Sequence, residues 1–428
     1  MNGPSRHVQR VVGAIADDLT GATDLGATLA TRGMRTVILI GSDVPDQLAD
    51  GAEAIVVALK SRTTPVVQAV EESLAGLHLL QRLGFSRFIF KYCSTFDSTA
   101  QGNIGPVAES LLDALDQDLT IVCPAFPENG RTVDGGTLFV WGIPLDRTTM
   151  ATHPLTPMCD SSVMRLLAAQ VDKPIALMPL KEVRRGPDAV REQLASMAEQ
   201  GIRYVVPDAI DDVDLVTIGE GAHDLSLVTG SSGVALGFPS DFVRSGGQPF
   251  SGQGIRPNGD SLIISGSCSQ ATQRQCAAFS ELHAAREFNV AAHLGGHEQV
   301  SSTVEWVCGQ RPGEPVLVYS TAQPDEVADI QASFDQTEVG RTIEDALAGI
   351  AAGVVNRGRA HALVVAGGET AGAVVRRLGV RALAIGATIE PGVPWTFAVG
   401  QEPLALALKS GNFGSDHFFS TAFEALRD

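Results

Sequence analysis

The sequence predicts an α/β protein of two domains, each a mostly parallel sheet flanked by helices, with a cleft between them. Short β-branched runs alternate with longer amphipathic stretches along the chain, the pattern of a parallel sheet covered on both faces. That alternation breaks once, at PSDFVRSGGQPFSGQGIRPNGD (239–260), a Gly-, Pro- and Ser-rich stretch that reads as a linker. Finally, 428 residues exceed what one hydrophobic core usually serves.

In chain order, strands are expected at residues 11–16, 35–40, 54–59, 88–92, 119–123, 173–180, 203–206 and 225–229. A helix is expected at 66–83, where Val67, Val70, Leu74 and Leu77 recur at helical spacing. Beyond the linker, strands are expected at 262–264, 315–319, 362–366 and 382–385, with helices at 271–282 and 342–355. The boundary falls near residue 245, giving domains of 1–245 and 246–428.

Composition narrows the function. The 45 glycines and sparse aromatics (5%) suit many tight strand-to-helix turns. A net charge of −18 argues against a nucleic-acid partner, although local cations can still hold a small anion in a cleft. Cys93, Cys123, Cys159, Cys268, Cys276 and Cys308 form no CxxC pair, which speaks against a zinc site or a disulfide framework. The apolar stretch before Asp17 is too short for a signal peptide, and no run of 18 apolar residues occurs. A cytoplasmic protein without a membrane partner is expected.

Chemistry gathers at strand ends. After the first strand comes IADDLTGATD (15–24), with Asp17, Asp18 and Asp24 beside Thr20 and Gly21. Crowded carboxylates raise each other's proton affinity, so Asp17 or Asp18 could deprotonate a hydroxyl or hold a metal. Helix capping by Asp18 or Thr20 is the plainer alternative. FKYCSTFDST (90–99) sets Lys91 beside hydroxyls suited to a sugar acid, with Ser94 and Asp97 in the same loop. Arg62, Lys91 and Arg131 each follow a strand, Arg131 next to Asn129. Three cations at one sheet edge make an anion site. His153 stands in a proline-punctuated loop with no metal-ligand spacing around it.

The second domain carries three small-residue turns: Ser265-Gly266-Ser267, Gly367-Gly368-Glu369-Thr370, and Lys409 to Gly414 with Gly411. Such turns let backbone amides approach phosphates. No GxxxxGK[ST] motif is present, and no GxGxxG stands at a strand-helix junction.

Together, IADDLTGATD, FKYCSTFDST, CPAFPENGRTV, HPLTPM, VVAGGETAGAVV and LALKSGNFG closely resemble the four-carbon acid sugar kinase family, with the 3-oxo-tetronate branch nearest, over about residues 11–419. Leu19 stands where that family commonly has Phe. The resemblance implies a sugar-acid-binding N-terminal domain and a nucleotide-binding C-terminal domain. It implies ATP and Mg²⁺ as cofactors, a small sugar acid as partner, and phosphorylation of the 4-hydroxyl. Erythronate and threonate stay open as substrates, a non-catalytic sugar-acid sensor stays open as an alternative, and so does a homo-oligomer. On that resemblance Asp17 and Asp18 are catalytic, while Arg62, Lys91, Ser94, Asp97, Asn129 and Arg131 bind substrate. Ser265, Gly266, Ser267, Gly367, Gly368, Glu369, Thr370, Gly411 and Gly414 meet the nucleotide, and the metal ligands stay unassigned.

Overall fold

The computed structural model describes residues 9–152, 156–239, 241, 260–294, 296, 299–320 and 336–426. His153 and most of the expected linker lie outside the described residues. The chain divides into two compact units, Met1–Pro249 and Phe250–Asp428.

The strands of the first unit are β1 (Val12–Ala16), β2 (Thr36–Ile40), β3 (Ala54–Ala58), β4 (Phe88–Lys91), β5 (Thr120–Cys123), β6 (Arg131–Asp134), β7 (Thr137–Val140), β8 (Ile143–Pro144), β9 (Ile175–Met178), β10 (Tyr204–Pro207) and β11 (Leu227–Gly230). Eight of them pair in the order β2-β3-β1-β4-β11-β5-β10-β9, all parallel. β1 is VGAIA and buried at every position, as a central parallel strand covered on both faces must be. Its Gly13 lets the helix Val66–Arg82 approach closely, since a Cβ there would lie 3.0 Å from Leu80 Cδ1.

The chain steps from β1 to β2 and β3 on one side, then crosses to β4 on the other. The order therefore reverses between β1 and β4, where the carboxyl ends of an open α/β sheet leave room for a ligand. β6, β7 and β8 form a separate antiparallel sheet. Sequence patterning did not anticipate it, because these strands are short and half exposed. The signal was Gly135-Gly136, both at positive φ (57° and 71°), as a tight hairpin turn demands.

The second unit contributes β12 (Ser261–Ser265), β13 (Ala284–Glu287), β14 (Val316–Tyr319), β15 (Ala362–Ala366), β16 (Ala382–Glu390), β17 (Val393–Ala398) and β18 (Ala405–Lys409). Their order is β13-β14-β12-β15-β18-β17-β16. It is parallel from β13 to β18 and antiparallel at β18–β17 and β17–β16. β13, β17 and β18 were not expected. The first, AARE, and the last, ALALK, carry little β-propensity and owe their conformation to pairing and burial. The unit's core sets Trp395, 1% exposed, among Phe418, Phe419 and Phe423, and the indole N–H donates to Ala422 O at 2.9 Å. Among the described residues no helix is long and apolar enough to cross a membrane.

Candidate functional site

The first unit's site is built at the switch point. Ala16, the last residue of β1, stands level with Ala58 of β3 and Lys91 of β4, so the next residues on each strand emerge side by side. The Asp17 carbonyl accepts from Ser61 N and Arg62 N at 3.0 and 3.2 Å, and Asp17 N donates to Lys91 O at 3.1 Å. The Asn103 side chain donates to the carbonyls of Ser61 and Thr64 at 2.7 and 3.2 Å and so fixes the loop that carries Arg62.

Arg62 is the hub. Its Nε donates to Asp17 Oδ2 at 2.8 Å, and Nη2 donates to Asp17 Oδ1 at 2.8 Å and to Asp18 Oδ1 at 2.6 Å. Asp18 is also the N-cap of the helix Leu19–Thr31, accepting from Gly21 N at 3.0 Å and from Thr20 Oγ1 at 2.7 Å. Capping and site-building thus coincide in one residue. Burial pushes the Asp17 carboxyl up, more than Arg62 pulls it down. Burial acts on Asp18 as well, but the charges of Arg62 and Lys91 outweigh it and hold that carboxyl below its usual range. Two adjacent aspartates are driven apart, which is how one site separates acid and base roles.

Lys91 is 3% exposed, and among the described residues its ammonium makes no hydrogen bond. It sits over Gly21, 2.6 Å from where a Cβ on that residue would lie. Its charge acts on Asp18, Asp24 and Asp17. Asp24, one helical turn further on, accepts from Ser232 Oγ at 2.5 Å through Oδ2, while its buried Oδ1 has no hydrogen-bond partner among the described residues. Burial pushes the Asp24 carboxyl up to about 6.

The loop after β4 supplies the rest. Thr95 Oγ1 donates to Asp97 Oδ1 at 2.6 Å, and Ser94 is half-buried beside them. Phe96 takes φ of 50° although fully buried, a strain held by edge-on packing on Tyr92, with centroids 5.5 Å apart. Arg131 lies within electrostatic reach of Asp97 and Asp24 and donates to Asn129 O. Its buried Nε has no hydrogen-bond partner among the described residues.

In the second unit the three small-residue turns follow β12, β15 and β18, which are adjacent, parallel and in register, with Ser265 level with Ala366 and Ala366 level with Lys409. A Cβ on Gly266 would lie 2.3 Å from Thr370 Oγ1, and one on Gly411 would lie 2.3 Å from Ser267 Oγ. Gly367, at φ 118°, opens the helix Gly368–Arg377, with Glu369 in its first turn. Gly414, at φ 86°, packs on Phe418. The Gln275 amide ties down the same loop, donating to the carbonyls of Phe413, Gly414 and Ser415 at 3.1, 3.0 and 2.9 Å. The structure therefore gathers Asp17, Asp18, Arg62 and Lys91 in one unit, and brings the three nucleotide-side turns together in the other. Sequence reasoning passed over Asn103, Ser232, Ser269, Thr272 and Gln275. Their partners lie 39 to 208 residues away, in turns whose path only the fold defines, so no local signal marks them.

Residues 12–238 match a family model described as a sugar-binding N-terminal domain, and residues 262–419 match one described as a nucleotide-binding C-terminal domain. The chain is 49% identical to a 3-oxo-tetronate kinase of Cupriavidus necator over 424 residues, covering 97% of each chain. It is 46% identical to a 3-oxo-tetronate kinase of Pseudomonas savastanoi pv. phaseolicola over 420 residues, again 97% of each. Among solved structures it is similar to a Salmonella typhimurium LT2 protein, described as a proposed tRNA synthase. That match has 39% identity and a TM-score of 0.86, over 97% of this chain and 99% of that one. A Haemophilus influenzae protein matches at 39% identity and a TM-score of 0.78, over 97% and 100%. The chain belongs to the four-carbon acid sugar kinase family, the one its motifs resemble.

Proposed function

We propose that the protein is an ATP-dependent kinase that transfers the γ-phosphate to the 4-hydroxyl of 3-oxo-tetronate. The observation that carries this reading is the 49% identity to a 3-oxo-tetronate kinase across 97% of both chains. The geometry supports roles for the residues. Asp18, more open than Asp17 and held ionised by Arg62 and Lys91, orients or deprotonates the attacking hydroxyl. Asp17 is enclosed by Arg62 through both oxygens and positions that guanidinium. Lys91, Arg131 and the remaining amino group of Arg62 take the substrate carboxylate, fixing which end of the acid is offered for phosphorylation. Ser94, Asp97 and Asn129 complete the polar wall.

The amides of Ser267, Gly368 to Thr370, Gly411 and Asn412 receive the phosphates, those of Gly266 and Gly367 being spent on Ala366 O and Lys409 O. Among the described residues no group of three or more His, Cys, Asp or Glu could hold a metal unaided. Mg²⁺ is commonly carried by the nucleotide's phosphates with one or two carboxylates, and Glu369, in the first turn of its helix, would supply one. Bound there, the ion would neutralise phosphate charge.

The test is ADP release with ATP and Mg²⁺ across 3-oxo-tetronate, erythronate, threonate, glycerate and a five-carbon acid. Turnover is expected on 3-oxo-tetronate, with phosphate on the 4-oxygen. Preferred turnover of erythronate or threonate would reassign the substrate, and silence across the panel in folded, nucleotide-binding protein would overturn the kinase reading. Asp18→Asn should lower kcat by about 10²–10⁴-fold with nucleotide affinity kept. Near wild-type turnover would remove Asp18 from the base role.

A further inference from the structure

Lys409 closes β18 with an ammonium group that is wholly buried, and among the described residues it has no carboxylate at ion-pair distance. Its three N–H bonds meet three neutral oxygens: Thr272 Oγ1 at 3.1 Å, Ser410 O at 3.1 Å and Gly411 O at 3.2 Å. A buried charge solvated only by neutral dipoles is costly, and an approaching anion would offset that cost.

The same bonds set the direction of the turn. Gly411 O also accepts from Ser269 Oγ at 2.6 Å and from Thr272 Oγ1 at 2.8 Å, so three donors draw it inward. Ser410 O is drawn in by Lys409 and by Phe413 N at 3.2 Å. In a trans peptide the N–H points opposite to the C=O. Two successive inward carbonyls therefore turn the amides of Gly411 and Asn412 outward, and among the described residues neither amide has a hydrogen-bond partner. Successive outward amides form an anion-binding concavity.

We propose that Lys409 is a positioning residue for nucleotide phosphate, holding the Gly411 and Asn412 amides outward from beneath the turn with its own charge behind them. This rests on the nucleotide-binding reading of the second unit and names the residue that sets its third turn. Lys409 does not touch the ligand, because all three of its protons are spent within the protein. Burial lowers its pKa to about 8, and Cys276 and Glu390 are the titratable groups that face it from neighbouring elements, the Cys276 thiol being uncharged where Lys409 titrates. Burial pushes the Cys276 thiol up to about 11, and Glu390 accepts from Ser415 N and Oγ, each at 2.7 Å.

The experiment is calorimetric titration of the whole chain with ADP from pH 7 to 9.5. Wild type should bind about tenfold more weakly at pH 9.5 than at pH 7.5, as Lys409 loses its proton. Lys409→Met should bind about tenfold more weakly at pH 7.5 and show no such decline, while the KM for the sugar acid stays within about twofold. Thr272→Val should weaken ADP binding and Thr272→Ser should restore it. Those two variants and the wild-type profile decide the matter if Lys409→Met does not fold. A flat wild-type profile with unchanged affinity in Lys409→Met or Thr272→Val would overturn the proposal and leave the nucleotide reading intact. Folded wild type that does not bind ADP would overturn both.

Discussion

The two units place their sites alike and build them from different materials. In each, the site gathers where the strand order reverses, beyond the carboxyl ends of adjacent parallel strands. The first unit fills that place with charged side chains locked to one another through Arg62. The second fills it with turns packed on one another at Gly266, Gly367 and Gly411, where a Cβ would meet Thr370 or Ser267, and it keeps the buried cation Lys409 beneath the third turn. A small acid with few atoms needs directional side-chain contacts to be told from its relatives. A polyphosphate, identical on every nucleotide, is met well enough by aligned amides and fixed dipoles. On the proposed roles, the same topology would serve a selective site in one unit and a generic one in the other.

If the first site depends on mutual charge compensation, removing its hub should cost the most. Arg62→Met leaves Asp17 buried without its partner and should destabilise the protein by about 3–5 kcal/mol. Urea unfolding reads that loss directly, and a loss below about 1 kcal/mol would show Asp17 content to be protonated.

Asp24 sharpens the point from the opposite side. Its folded pKa, raised to about 6 by burial, lies above the ordinary 3.8, so the folded state binds the proton more tightly than the unfolded one. Asp24 therefore withholds no stability below about pH 4, and stability falls as pH rises from 4 through 6. Asp24→Asn should be about 3 kcal/mol more stable than wild type at pH 7.5, the difference vanishing toward pH 4. Thermal unfolding over that range checks the sign, and equal stability at pH 7.5 would break it.

A matched pair of glycine substitutions asks whether the sites are separable. In Gly21→Ala the new methyl would meet Asp18 Oδ1 at 2.3 Å and Lys91 Nζ at 2.6 Å, the first held by Arg62 and Gly21 N and the second enclosed by burial, so the sugar-acid KM should rise about tenfold with ATP unaffected. In Gly411→Ala it meets Ser267 Oγ at 2.3 Å, a short hydroxyl tied only by 3.3 Å bonds to Ser269, and the ATP KM should rise only about threefold. Steady-state kinetics in both substrates separates them. Both constants rising together in either variant would show the two sites to be coupled.

Much of this was legible in residue order. The buried β-branched runs became strands within two residues at most ends, because a strand covered on both faces must be continuously apolar, as AIVVA in β3 is. Lys91 and the loop bearing Arg62 were readable for the same reason, since the adjacent parallel strands β3, β1 and β4 end level, whereas Arg131 opens β6 of the separate antiparallel sheet instead of ending a parallel strand. The hairpin β6–β7 and strand β13 were not readable, because a half-exposed RTVD or AARE carries no periodicity that survives without its partner.

The sequence by itself determined the two-unit α/β class, the family, and the residue types at each ligand edge, because binary patterning and short turn motifs are local properties. Only the tertiary structure decided which charges meet. That Arg62 takes both oxygens of Asp17, that Asp24 lies buried against Ser232, and that Lys409 turns inward rather than toward a ligand depend on contacts across as many as 208 residues. Pairing and desolvation act through space, and no spacing along the chain encodes them.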